Sequence, residues 1–163
     1  MDKYFQVLRD KGCTVARLID AADIEVAAWT IMKCRYGCPN YGKNRSCPPF
    51  APSWRETADI IACYRRAILF GTPDMSAGTP AALACARALA QDGFYKVLAF
   101  GTGPCRRCAE CRVEHCPHPA DVLPSPEACG IDLVATVRRA GLPISMPPKP
   151  GEPLHCYGLI LVD

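Results

Sequence analysis

The sequence predicts an α/β fold: a small, mostly parallel or mixed sheet flanked by helices, with two cysteine-rich loops at one sheet edge. Three observations lead there. Helix-like and strand-like segments alternate along the 163 residues. Half of those residues are hydrophobic, enough to bury a core. The twelve cysteines concentrate with many of the sixteen prolines, in segments that can be neither regular helix nor central strand.

Taken in order, a helix is expected from Asp2 to Lys11, closed by Gly12. The apolar, β-tolerant run from Ile24 to Met32 reads as a strand feeding a first cysteine loop, Cys34 to Pro52. Ser53 is placed as a helix N-cap, and Glu56 completes a capping box. Ile60, Ile61 and Tyr64 give that helix one apolar side. Ala67 to Phe70 reads as a short buried strand, ended by Gly71 and Pro73. Thr79 and Pro80 open a second helix, which Gly93 ends. A strand from Tyr95 to Phe100 then runs into Gly101-Thr102-Gly103 and the second cysteine loop. Ser125 and Pro126 begin a third helix, stopped by Gly141 and Pro143. Leu142 to Ser145 is a candidate short strand, and Tyr157 to Val162 is the clearest strand in the chain.

In this layout both cysteine loops leave the C-terminal ends of strands, the edge at which open α/β sheets bind ligands. Right-handed crossovers keep such ends on one side, so the loops are expected to meet. The third helix, starting just after the second loop, would aim Cys129 at the same place.

Length predicts a single domain over residues 1–163. A net charge of +3 gives no ground for nucleic acid or a membrane as partner. No apolar run approaches the roughly 18 residues of a membrane span. Met1 to Asp10 lacks the apolar stretch and cleavage site of a signal peptide, so the cytoplasm is the expected compartment. In a reducing compartment, dense cysteines read as metal ligands or redox groups rather than disulfides.

The sharper of two cysteine patterns is Cys105-x2-Cys108-x2-Cys111-x4-Cys116-Pro117. Cysteines two residues apart let one loop wrap a cubane, each thiolate reaching a different iron. The run differs by one residue from the bacterial ferredoxin pattern C-x2-C-x2-C-x3-C-P. Zinc sites more often pair two C-x2-C hairpins across a longer stretch, so zinc is the alternative. The second pattern, Cys34-x3-Cys38-x8-Cys47-Pro48, needs a fourth ligand. Cys129 is the best candidate: a thiolate in the first turn of the third helix is stabilised by amide donors and the dipole. Gly130 beside it permits close approach of a cluster to the backbone. The sum is eight ligands, enough for two 4Fe-4S clusters. A cysteine before proline can serve the other cluster, so Cys47 and Cys116 stay unassigned between them.

Among the remaining cysteines, Cys63 and Cys85 read as small buried hydrophobes inside helices. Cys13 carries no pattern, and Cys156, although next to His155, reads as a loop residue before the last strand. His115 and His118 flank Cys116, where either could ligate metal or donate to a cluster sulfur; surface loop histidines are an equal reading. Lys33, Arg35, Lys43, Arg45, Arg106, Arg107 and Arg112 crowd the cysteine loops. Such cations stabilise a net-negative cluster and suit an acidic redox partner or an anionic substrate; charge balance and solvation account for them equally well. There is no Ser-His-Asp order and no phosphate loop. Gly101-Thr102-Gly103 does not extend into a dinucleotide fingerprint, because Pro104 and Cys105 stand where its helix should begin.

Several segments resemble a family of unknown function labelled "predicted metal-binding protein", found largely in anaerobic archaea and bacteria. They are Lys33 to Gly42, Cys47-Pro48-Pro49, Gly103 to Cys108, Glu127 to Asp132 and Tyr157-Gly158-Leu159. The resemblance runs from about Lys33 to Asp163. It implies that Cys34, Cys38, Cys47, Cys105, Cys108, Cys111, Cys116 and Cys129 all occupy family motif positions. Pro124-Ser125-Pro126-Glu127 departs slightly from the family pattern without touching a proposed ligand.

Three functions follow as expectations. The first is an iron–sulfur electron carrier or redox accessory protein with a redox protein partner. The second is an enzyme whose chemistry occurs at a cluster with an open iron site. The third is a zinc-stabilised structural or binding module.

Overall fold

Two strands that are apolar at almost every position set the centre of the molecule. The computed structural model describes residues 1–146 and 155–163. In it, β2 (Arg66–Thr72) and β4 (Cys156–Val162) pair antiparallel at the middle of a sheet ordered β1-β2-β4-β3. β1 (Val15–Asp20) and β3 (Val97–Phe100) form its edges. Successive strand side chains point to opposite faces. Ala67, Leu69, Tyr157, Leu159 and Leu161 therefore enter one core and Ile68, Phe70, Ile160 and Val162 the other. Burial on both faces explains the continuous apolar runs.

Every strand pairing is antiparallel, which corrects the expected mostly parallel or mixed sheet. The helix between β2 and β3 is α4 (Met75–Gln91), and these two strands do run in the same direction. The final strand β4 is inserted between them and pairs antiparallel with both. Alternation of elements foretold only the shared direction of β2 and β3; which strands become neighbours is decided by contacts distant in sequence.

Two helices, α1 (Asp2–Asp10) and α4, cover one face, where Tyr4, Leu8, Ala81, Ala82, Cys85 and Leu89 meet Ile68 and Phe70. On the other face lie α3 (Trp54–Ala62) and α5 (Leu133–Arg139). The capping box at α3 is formed: Glu56 N–H donates to Ser53 Oγ, and Ser53 N–H donates to the Glu56 carboxylate at 2.8 Å.

Several expected boundaries move. β1 carried no earlier assignment, and the expected strand Ile24–Met32 is not one. Val26 makes a single bridge to Ile131, after which α2 (Trp29–Gly37) begins. Short apolar runs do not by themselves distinguish helix from strand. α4 starts ahead of Thr79, because Asp74 accepts Ser76 N–H at 2.8 Å and caps it; Pro80 lies inside the helix. The third helix is split. Glu127–Cys129 forms one 3-10 turn, Gly130 turns left-handed at φ +88°, and Asp132 caps α5 through Ala135 N–H. Leu142–Ser145 forms no strand.

Candidate metal centre

The first cysteine group is assembled by a short antiparallel contact outside the sheet. Ala27 N–H donates to Gly130 O at 2.7 Å and Asp132 N–H to Glu25 O at 2.7 Å, on either side of the Val26–Ile131 bridge. This ties the start of α2 to the turn that carries Cys129. Cys34 lies within α2, and Cys38 is its C-cap, with Cys38 N–H donating to Cys34 O. Cys47 ends a turn closed onto Asn44 O at 2.9 Å.

Electrostatics register how near these thiols stand to one another. Burial raises the Cys34 thiol, and the sulfurs of Cys38 and Cys47 with Glu127 add to it. Burial also raises Cys47; Ser46 opposes this, while Cys38, Cys111 and Cys105 reinforce it. Cys129 is fully buried, and its thiol is pushed up to about 12 by burial and by Glu127, against the pull of Thr57. Cys34 and Cys47 push Cys129 in the same direction. Any metal bound by thiols raised in this way must displace their protons.

Cys105, Cys108, Cys111 and Cys116 line one small cavity together with Arg45, Arg107 and His118. Its volume is about 10 Å³, the room of a single water.

The two loops touch through three consecutive residues. Asn44 Nδ2 donates to Cys105 O at 2.8 Å. Arg45 N–H donates to Cys111 Sγ at 3.4 Å, and the Arg45 guanidinium donates to Val113 O at 2.6 Å. Cys105 N–H donates to Ser46 Oγ at 2.8 Å, and that hydroxyl donates to Asn44 Oδ1 at 2.8 Å. Asn44 and Ser46 are buried. The sequence reading missed both; their only signal was position, between Cys38 and Cys47 and directly before Cys47-Pro48. The expected route to this meeting is corrected as well, since the first loop follows a helix and the sheet is antiparallel. The second loop does leave the C-terminal end of β3, near which the antiparallel β4 begins with Cys156.

The candidate donors are all cysteine sulfurs, a set that suits iron–sulfur clusters or zinc. Among the described residues, no three Cys, His, Asp or Glu side chains converge closely enough to hold a single ion. Tetrahedral zinc with bonds of about 2.3 Å needs sulfurs roughly 3.8 Å apart. A cluster seats each thiolate on a different iron and accepts wider spacing. Thr57 supplies an independent test of fit. Its hydroxyl is buried with no hydrogen-bond partner among the described residues, and it lies against Cys129. A metal-bound thiolate there would accept that O–H.

Other cysteines sort by burial. Cys13 and Cys85 are core residues on the α1–α4 face, their thiols pushed up to about 11 and about 12 by burial. Cys63, expected to be buried, is exposed at the C-cap of α3, where its thiol donates to Asp59 O. Cys156, expected in a loop, is the buried first residue of β4. A Cβ at Gly130 would stand 2.4 Å from Trp54 Cβ, so its bareness serves the packing of α3. His115 and His118 are exposed, and His118 lines the second group's cavity. The basic residues are partly engaged already. Lys33 sits 4.5 Å from the Trp29 ring centroid, Arg106 reaches Met75 Sδ, and Arg107 pairs with Asp121. No helix among the described residues is long and apolar enough to cross a membrane.

A family model described as predicted metal-binding protein (DUF2284) matches residues 17–162. No curated protein and no solved structure matches the chain.

Proposed function

The chain belongs to this predicted metal-binding family, and from that premise we propose that it is an iron–sulfur redox protein carrying two four-cysteine clusters. Cys34, Cys38, Cys47 and Cys129 form one ligand group, and Cys105, Cys108, Cys111 and Cys116 form the other. The observation that carries this reading is the hydrogen-bonded contact of Asn44, Arg45 and Ser46 with the second cysteine loop. Electron transfer between two centres requires such closeness, whereas independent structural zinc sites do not.

When bound, the clusters supply one-electron chemistry. The chain's residues supply ligands, hydrogen bonds to sulfur and charge. Arg45 N–H donates to Cys111 Sγ, and hydrogen bonds of this kind to ligand sulfur raise the potential. Exposed Arg106 and Arg112 near the second group suit contact with an acidic redox partner. Cys108 is exposed on the same loop, which supports the second group as the entry point for electrons.

The deciding experiment is iron, acid-labile sulfide and zinc analysis of anaerobically purified protein. Brown protein with about eight irons per chain is expected, from two four-iron clusters. Colourless protein with stoichiometric zinc and no sulfide, prepared without exposure to air, would replace this reading with a zinc-stabilised module.

One observation favours a second role, catalysis at the first group. Cys34, Cys38 and Cys47 line a cavity of about 630 Å³, far more space than a ligand-only site needs.

A further inference from the structure

The large cavity has walls of unusual chemistry for a site beside cysteine ligands. Apart from Cys34, Cys38 and Cys47, its lining is dominated by aromatic and aliphatic groups, including Trp29, Tyr41, Ile131, Leu133, Ile144 and Tyr157. Its volume lies within the roughly 300–1,000 Å³ of ordinary small-molecule sites. Cys156 lines it too, but from another part of the wall: the charges acting on its thiol are Glu127, Asp74 and Arg106, not the other cysteines. The cavity therefore extends from the first cysteine group to the end of the sheet at which β4 begins.

The charges around it select against both signs of ligand. A thiolate-ligated cluster is net negative and repels an anion. The face of Trp29, the natural seat for a cation, is already taken by the Lys33 ammonium at 4.5 Å. Of the carboxylates in the lining, Asp132 is occupied in capping α5, and Glu127 has Ser125 beside it. Flat aromatic side chains and methionine favour a planar apolar body.

We infer that this cavity binds a neutral, planar, largely apolar organic molecule against the first cysteine group. The inference rests on the cluster reading of that group and extends it with a site for a bound molecule beside it.

The test uses anaerobic, metal-loaded protein and three matched probes: 2-acetylnaphthalene, 2-naphthoate and 2-naphthylmethylammonium. Binding is measured by equilibrium dialysis. Protection of Cys156 from alkylation, read by mass spectrometry, locates the probe. The neutral ketone is expected to bind at least about tenfold more tightly than either ion, since burying an unpaired charge is costly. It should also protect Cys156. Ser145→Trp and Met146→Trp, at lining positions that are not fully buried, should weaken ketone binding, while Leu98→Trp on the outer edge strand should not. Absence of ketone binding by iron-replete protein, equal binding of the ions, or indifference to both lining substitutions would overturn the site. Protein isolated without exposure to air that carries zinc and no sulfide, yet binds the ketone and protects Cys156, would overturn the iron reading and leave the site standing.

Discussion

The backbone N–H of Cys105 donates to the hydroxyl of Ser46 at 2.8 Å, joining two cysteine loops that lie 59 residues apart in sequence. The hydroxyl in turn donates a hydrogen bond to Asn44 Oδ1, and Asn44 Nδ2 donates to Cys105 O on the second loop. Both side chains are buried, so water cannot replace either partner.

Ser46→Ala removes the acceptor for Cys105 N–H and leaves that amide unpaired. The expected loss is about 1–3 kcal/mol of stability, with weaker coupling between the two metal groups. Denaturation of anaerobic protein measures the first, and magnetic interaction in the electron paramagnetic resonance spectrum measures the second. Full stability with an unchanged interaction spectrum would show that the brace is dispensable.

Cys129→Ala asks whether the fully buried thiol is a ligand or only core. As a ligand, it should cost about half of the bound iron, one cluster of two, with the second group's spectrum retained. If iron content and both spectra survive, Cys129 is core, and the first group has an open position.

Gly130→Ala places a methyl group 2.4 Å from Trp54 Cβ and forces a left-handed backbone on an L side chain. A loss of about 1–3 kcal/mol is expected from the backbone strain alone. Because Gly130 O also holds Ala27 N–H, metal retention at the first group should fall with it. A thermal midpoint equal to that of the parent would refute the packing argument.

Acid stability should carry a contribution from Asp92. The Lys3 ammonium and the Tyr4 hydroxyl both donate to its carboxylate and hold it below the ordinary range. A folded value below the unfolded one gives stability that is present above about pH 4 and lost as pH falls through the folded value. The stability difference between the parent and Asp92→Asn should therefore vanish on acidification. Comparing the two proteins at each pH cancels the loss of metal common to both. A difference that stays constant down to pH 2 would count against the pairing.

Much of this molecule was legible from local chemistry. Ser53 and Glu56 announce the start of α3 because a capping box closes within four residues. Gly12, Gly93 and Gly141 mark helix ends because each adopts a positive φ. The runs that became β2 and β4 were visible as apolar segments bounded by turn residues. The cysteine spacing, also local, singled out seven candidate ligands in two groups, and Cys129 was added from its expected place at a helix start. Its limits appeared where a run was ambiguous: Ile24–Met32 became a bridge and a helix, while β1 passed unmarked.

What the sequence by itself determined is the punctuation of helices and central strands, the alternation of elements and the two cysteine patterns. Each depends on residues a few positions apart. Only the tertiary structure decided that β4 inserts between β2 and β3, making every pairing antiparallel. Only it brought Asn44 and Ser46 against Cys105, Thr57 against Cys129, and Cys156 to the wall of a cavity shared with Cys34. These contacts join residues tens of positions apart. They form because sheet hydrogen bonds, two buried faces and buried polar groups must all be satisfied at once, a condition no local stretch of sequence encodes.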